Sequence, residues 1–374
     1  MLSLSGIFTL SINVHVYEET RLANISLSSA KKAKNDEFYT QFQDIEKEMS
    51  AYLDFNPNVF KDKTILLPCD DPEWSNFTKY FAQKFEVLGL KKLISTSYAA
   101  DSKPSDIPYQ PTLFEKESPN FDEIKTRSRG KIFTLFKDKT GDGVINVNDL
   151  EWSYLQGDGD FRSDEITQLR NEADIIITNP PFSLFREFLA WIIEANKQFV
   201  IIGNMNAITY KEVFPLIQKN RMWLGVTRTG VGSMWFEVND SAPKKSGQKL
   251  DGEKKYQTVG NSAWFTNLDH GRRHKPLALM STVDNIKFSK YVSKSGYEKY
   301  ENYDAIEVPR VEAIPSDFDG TMGVPITFLG KYNPDQFKII KFRHGNDDKD
   351  LRLKDGTCPY FRILIKHNTE KNEN

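Results

Sequence analysis

Asn179-Pro180-Pro181-Phe182 is the stretch of this 374-residue chain whose residue types best suit chemistry. Asn179 carries a side-chain carbonyl acceptor. The two prolines have no backbone N–H and stop a ladder, which leaves the carbonyls of Asn179 and Pro180 without sheet partners. Phe182 adds a flat apolar face able to stack on a planar ring. Converging acceptors beside an aromatic face suit an exocyclic amine. Such an amine is a weak nucleophile because its lone pair is delocalised into the ring. Two acceptors pulling on its hydrogens favour a pyramidal, more nucleophilic nitrogen, and the proton can leave after transfer. The bland alternative is a proline-rich turn that only ends a strand. The apolar run "ADIIIT" just before it, within a strand–helix rhythm, favours the functional reading.

Two carboxylate sites accompany it. Asp160-Phe161 follows the glycine-rich turn "GDGDF", where an acid beside an aromatic could bond and stack against a second flat ring. Asp70-Asp71 follows the apolar run "TILLPC", just before a helix start at Ser75. Carboxylates there could hold a cationic or hydroxyl-bearing ligand; an ordinary Asp-Pro turn with helix capping explains them equally well. The chain has no GxGxxG, so this is not a dinucleotide fingerprint. "DKTGDGVINVND" at 138–149 nearly fits a calcium loop, but Asp149 and Thr140 stand where Glu and Asp or Asn are expected. "RGKIFTLFKD" before it reads as a strand rather than the required helix, so a glycine turn is favoured. The five histidines lack ligand spacing, and no catalytic metal is expected.

These residues need strand ends to position them. Apolar strands are expected at 64–70, 91–98, 173–178 and 198–204. Helices should intervene, with Ile45, Met49, Tyr52 and Leu53 on the buried face of one, and Phe77, Tyr80, Phe81 and Phe85 on that of another. Ser75 is the expected N-cap of the second and Gly89 its stop. Apolar strands alternating with helices imply an α/β fold with a parallel sheet covered on both faces. In such sheets ligands bind beyond the carboxyl ends of the strands, where the candidate residues fall. "RMWLGVT" and "SAWFTNL" read as later strands with no helix between them, and the pattern turns mixed after Gly271.

Bulk composition excludes little. The net charge of −2 does not announce a nucleic-acid binder, though a local basic face would suffice. Lysine and arginine cluster in "KKAK", "KKSGQK" and "GRRHK". The first two are read as solvated surface, while "GRRHK" is an even choice between that and a phosphate contact. Two distant cysteines make neither a disulfide framework nor a zinc site, which fits a reducing cytoplasm. The opening residues lack a basic n-region and a cleavage site, which argues against a signal peptide. No apolar run approaches the ~20 residues that span a bilayer, so no membrane partner is expected.

Taken together, "CDDPEWSNFTKYF", "GDGDFRSDEITQL", "ADIIITNPPFSLFREFLAWI" and "IIGNMNAITYKEVF" resemble the amino-methyltransferases that use S-adenosylmethionine. With "KNDEFYTQFQDIEKEM", "WFTNL" and "MGVPITFLGKYNPDQF", the chain is similar to adenine-specific DNA methyltransferases of the EcoRI modification type from about residue 35 onward. The resemblance implies a Rossmann-like methyltransferase sheet with helices on both faces and a smaller mixed C-terminal lobe. Asn179, Pro180, Pro181 and Phe182 would hold a flipped adenine. Asp160 and Phe161 would contact the adenine end of S-adenosyl-L-methionine, Phe38, Tyr39 and Thr40 its methionine end, and Asp70 and Asp71 would flank it. The chain departs from wider methyltransferases in lacking a glycine-rich first-strand signature and an acid directly after the second strand; Asp101 is a weak substitute there.

The expected activity is site-specific N6 methylation of adenine in double-stranded DNA. It would be the modification part of a restriction–modification system, with a cognate restriction endonuclease as a further partner. Residues 1–34 would form an extension, 35–270 the catalytic domain, and 271–374 a lobe that helps to choose the target. Two alternatives stay open: methylation of an RNA base or a protein glutamine, and a DNA-binding protein that has lost transfer activity.

Overall fold

The computed structural model describes residues 39–71, 75–99, 116, 120–136, 151–227, 234–238, 247–252, 254–258, 261–343 and 350–368. The whole 1–34 extension with its "KKAK", Phe38, Asp101 and the calcium-like loop at 138–149 lie outside them, and so does the side chain of Tyr39.

The chain opens with β1 (Tyr39–Thr40) and α1 (Phe42–Phe55), then β2 (Thr64–Leu67), α2 (Asn76–Gln83), α3 (Phe85–Leu88) and β3 (Lys92–Ser97). It continues through α4 (Glu123–Ser128), β4 (Lys131–Leu135), β5 (Glu151–Tyr154), α5 (Asp164–Glu172), β6 (Ile175–Thr178), α6 (Phe185–Glu194) and β7 (Gln198–Asn204). Then follow α7 (Phe214–Gln218), β8 (Trp223–Leu224), β9 (Trp235–Val238), β10 (Gln248–Asp251), β11 (Lys254–Thr258), β12 (Ser262–Thr266) and α8 (Thr282–Phe288). The C-terminal part adds β13 (Ile306–Glu307), β14 (Met322–Pro325), β15 (Phe337–Arg343) and β16 (Arg362–His367).

Among the described residues the central sheet has eight strands in the order β5-β4-β3-β2-β6-β7-β12-β8. Its middle is parallel: β3 with β2, β2 with β6, and β6 with β7. Its flanks are antiparallel, so the parallel sheet expected forms the middle of a larger mixed one. β4, β5, β12 and β8 all join by antiparallel pairing, which does not require the long crossover that a parallel neighbour needs. The expected cover on both faces is present over the parallel strands. Leu66, Ile94, Ile176 and Ile201 point into one core cluster with Phe188, Leu189 and Ile192 of α6. Their neighbours Ile65, Leu67, Leu93, Ile175, Ile177, Val200 and Ile202 point into the other, with Ile45, Met49 and Tyr52 of α1 and Phe77, Tyr80 and Phe81 of α2. Strand residues alternate faces, and both faces are buried, so the strands are apolar throughout.

Local signals explain the boundaries. Ser75 caps α2, accepting from the N–H groups of Phe77 and Thr78. The expected single helix to Gly89 breaks at Lys84 into α2 and α3, and Gly89 ends it in the left-handed region at φ 62°. One face of the four-stranded sheet β13-β14-β16-β15 shares the core of the central sheet, while Leu364 on its other face packs with Tyr300, Ala305 and Leu351. Ile306, Met322, Val324, Phe337, Ile363 and Ile365 belong to the same cluster as Leu66 and Ile176 of the central sheet.

Glu48 of α1 makes a long-range anchor. It is fully buried, and its carboxylate accepts from the backbone N–H groups of Val226 (2.9 Å) and Thr227 (2.7 Å) just beyond β8, and from Tyr52 Oη (2.8 Å). A Cβ on Gly225 would lie 2.0 Å from Glu48 Oε1, so only glycine lets the strand end meet the acid. The "GRRHK" run serves the same junction. Arg272 donates to the carbonyls of Val226 (2.5 Å) and Gly330 (2.8 Å), and Arg273 is 6% exposed with its guanidinium 3.5 Å from the Trp223 ring centroid. These two arginines are bonded inside the protein.

Glu48→Ala leaves two backbone donors without their acceptor, and should lower unfolding free energy by about 2–4 kcal/mol. Urea titration would measure it; an unchanged midpoint would sink the anchoring role. A second backbone constraint is sharper. Gly159 has φ +88°, and a Cβ there would lie 2.4 Å from the Ser97 carbonyl oxygen at the end of β3. Gly159→Ala should cost more than about 1 kcal/mol in the same titration, since neither the backbone angle nor the space suits alanine.

Candidate active site

The parallel order β3-β2-β6-β7 contains a topological switch point. From β2 the chain moves outward to β3, then returns to the other side of β2 as β6. The carboxyl ends of β2 and β6 therefore diverge, and the crevice between them is where open α/β sheets bind ligands. Asp70 follows β2 and Asn179 follows β6, so sequence order alone brings two of the expected sites to one crevice.

Side chains lock the two ends together. The Asp70 carboxyl is 7% exposed. Ser75 Oγ donates to its Oδ1 at 2.7 Å, and Thr178 Oγ1 lies 2.6 Å from its Oδ2. Thr178 Oγ1 is also 2.6 Å from the Pro68 carbonyl oxygen. The Asp70 carbonyl accepts from Ser95 Oγ of β3. Next along the chain, Asn179 Nδ2 donates to Thr40 Oγ1 at 3.3 Å, and Asn76 Nδ2 donates to the Thr40 carbonyl at 2.8 Å. Asn76 adjoins Ser75, so the bonds close a circuit: Asn179, Thr40, Asn76, Ser75, Asp70, Thr178 and back to Asn179. Thr40 is itself fixed by β1 pairing with β9, opposite Phe236.

The Asn179 turn keeps the shape its prolines dictate. The β6–β7 ladder ends at Thr178 opposite Ile201. Pro181 stands before a short 3-10 turn, Phe182–Leu184, and its carbonyl accepts from Leu184 N at 2.9 Å. Phe182 is 9% exposed in the core cluster that holds Phe77 and Trp264. Its ring is therefore held by the core rather than free on the surface.

The "GDGDF" segment reaches the same edge from β3. Ala99 N donates to the Asp158 carbonyl at 2.8 Å, and the Gly159 conformation lets the two backbones touch. This supplies the acids absent from the end of β3 itself: Asp158 and Asp160 stand beside Tyr98, whose Oη lies 3.5 Å from Cys69 Sγ. Cys69 has φ 71°, a left-handed angle at a non-glycine residue and a local strain at the end of β2. Phe161 differs from expectation. Its ring is 1% exposed and packs edge-on against Phe188 (5.0 Å) and Trp191 (5.6 Å) of α6. It offers no face to a ligand, because α6 covers the sheet there.

The two well-placed carboxyls are tuned in opposite directions. Burial raises Asp70 to about 7, partly offset by its hydrogen bonding with Thr178 and Ser75 and reinforced by the neighbouring Asp71 charge. Arg162 holds Asp160 below the usual carboxylate range, through its side-chain bonds at 2.5 and 2.9 Å and its backbone N–H at 2.8 Å. Thr178, Ser95, Asp158, Tyr98 and Cys69 were not singled out in the sequence. Short polar residues at the ends of apolar strands were the signal available. Among the described residues no cluster of three or more His, Cys, Asp or Glu could hold a metal ion, and no helix is long and apolar enough to cross a membrane.

Comparison with known proteins identifies relatives along nearly the whole chain. The chain is 44% identical over 346 residues to "Type II methyltransferase M.EcoRI" of Escherichia coli, covering 92% of this chain and 97% of that one. It is 36% identical over 360 residues to "Type II methyltransferase M.MpnI" of Mycoplasma pneumoniae, covering 90% and 96%. No solved structure matches. The family described as "Adenine-specific methyltransferase EcoRI" matches residues 26–368. An α/β sheet with Asn-Pro-Pro-Phe at its switch point, and relatives matched along nearly their whole length, make this chain a member of the EcoRI family of adenine-specific methyltransferases.

Proposed function

We propose that the chain methylates the N6 amine of adenine at a specific site in double-stranded DNA, taking the methyl group from S-adenosylmethionine. The observation that carries this reading is the hydrogen-bonded circuit that fixes Asn179 at the carboxyl edge of β6, facing the crevice beside β2. Asn179 and the Pro180 carbonyl accept hydrogens from the amine, and Phe182 forms the wall on which the base stacks. The target base leaves its duplex to reach them, at a cost of a few kcal/mol.

The donor set suits S-adenosylmethionine, which pairs a positive sulfur and an ammonium group with ribose hydroxyls and a flat base. Asp71 lies at the end of β2, and Gly159 lets the Asp158–Asp160 segment pack directly against the end of β3. Asp160 and Asp71 would accept from the hydroxyl and cationic groups, while Thr40 stands between the cofactor side and Asn179. When bound, the cofactor supplies an electrophilic methyl group. The protein's task is then alignment: Asn179 orients the amine, the circuit prevents its drift, and burial excludes water. Residues 271–374 help to select the target, acting in the cytoplasm beside a cognate endonuclease.

Asn179→Ala should reduce methyl transfer to adenine-containing duplex by about 10²–10³-fold, the usual loss for one preorganised polar group. Radiolabelled methyl transfer in competition with RNA and a glutamine peptide would check both role and substrate. Retained transfer in the variant, or preference for a competitor, would sink this reading.

A further inference from the structure

We propose that Asp70 is a positioning residue that works as a neutral acid: its proton, donated to Thr178 Oγ1, sends the Thr178 proton to the Pro68 carbonyl and so pins the Asn179 turn to the end of β2. The proposal rests on the methyltransferase reading only for what the turn does; the proton placement stands on geometry. Thr178 Oγ1 sits 2.6 Å from Asp70 Oδ2 and 2.6 Å from the Pro68 oxygen. One hydroxyl has one proton and cannot satisfy both acceptors. An ionised Asp70 would leave either its own Oδ2 or the Pro68 carbonyl facing a lone pair. With the acid proton on Oδ2, every hydrogen in the chain has one acceptor: Asp70 to Thr178, Thr178 to Pro68.

The other oxygen agrees. Asp70 Oδ1 accepts from Ser75 Oγ at 2.7 Å, and Ser75 Oγ accepts in turn from Phe77 N at 3.1 Å. Oδ1 thus behaves as a carbonyl and Oδ2 as a hydroxyl. Among the described residues no cation bonds to the Asp70 carboxyl, whose partners are the hydroxyls of Ser75 and Thr178. From β6, α2 and β3 come Thr178, Ser75, Thr78 and Ser95, all hydroxyls. The charged or titratable groups nearby are Asp71, next in the chain, and Cys69, Tyr98, Asp160 and Arg162 beyond it. Asp71 and burial both oppose a second negative charge.

This assigns Asp70 differently from a cofactor ligand. A carboxylate that held a sulfonium or ammonium group would need its charge; a neutral acid does not. It also gives a sign for pH. The folded state retains a proton that an unfolded Asp70, at its ordinary value, releases. The stabilisation is full below the ordinary carboxylate range and is lost as pH rises through about 7.

Asparagine reproduces the neutral acid: its amide donates to Thr178 and its oxygen accepts from Ser75. Full-length wild type, Asp70→Asn and Asp70→Ala would be compared at about pH 6 and about pH 8.5. Ligand-free melting temperature, S-adenosylmethionine affinity by calorimetry, and kcat and KM on duplex DNA would be read. The melting temperature of wild type should fall relative to Asp70→Asn as pH rises through this window. Asp70→Ala should weaken affinity and kcat by about tenfold or more, and Asp70→Asn should restore them to within about threefold. A parallel pH dependence of melting in wild type and Asp70→Asn would overturn the proposal. So would Asp70→Asn losing affinity as fully as Asp70→Ala at low pH, since the charge would then be what matters. Should Asp70→Ala fail to fold, the Asp70→Asn comparison still decides. A wild type without adenine methylation would sink the functional reading alone and leave the melting result standing.

Discussion

The rest of the site depends on the gap where β2 has parallel neighbours on both sides. Backbone bonding ends at the last ladder pair, and beyond it the chain leaves β2 and β6 in different directions. The sheet cannot hold its own edge there. Short side chains take over: Ser75, Thr178, Asp70, Asn76, Thr40 and Asn179 reach only one bond length each, so every member must be in register. A buried network of this kind is rigid when complete and costly when broken. That property suits a reaction in which the protein's contribution is alignment rather than proton abstraction.

Charge divides the crevice. Asp70 and Asp160 are the same residue type at neighbouring strand ends, yet burial pushes one up to about 7 and Arg162 pulls the other down. The β3 side thus keeps an ionised carboxylate already paired with Arg162, and the β2–β6 side holds a proton more tightly than an ordinary carboxyl does. Environment, not residue identity, sorts the two roles.

Much of the frame was legible because it is periodic. Four apolar runs became β2, β3, β6 and β7, and Ile45, Met49 and Tyr52 lie on the buried face of α1 as their spacing requires. Ser75 caps its helix by the rule that short polar residues do so. The circuit was not legible, because its partners are far apart in sequence: Thr178 and Asp70 by 108 residues, Asn179 and Thr40 by 139. Phe161 shows the opposite failure. An aromatic beside an acid after a glycine turn suggests a stacking face, but α6 packs over it and takes that face into the core. Cys69 was hidden for a third reason: its left-handed angle is normally glycine's, and no propensity points to cysteine there.

The C-terminal sheet carries a constraint of its own. A lobe that chose the target independently would need a separate core, but Ile306, Val324 and Ile365 share one with Leu66 and Ile176 of the catalytic sheet. Arg272 ties Gly330 to Val226, and Glu48 holds the same strand end from α1. His274, bonded to Asp269 at 2.9 Å and stacked 5.3 Å from Phe55, closes the junction on the α1 side. Interiors packed in this way transmit displacement instead of absorbing it. Under the proposed roles, a base drawn from a duplex would arrive at Asn179 while the duplex rests elsewhere on the same body. Shared packing fixes that separation, so selection of the site and alignment of the amine would become one mechanical problem rather than two.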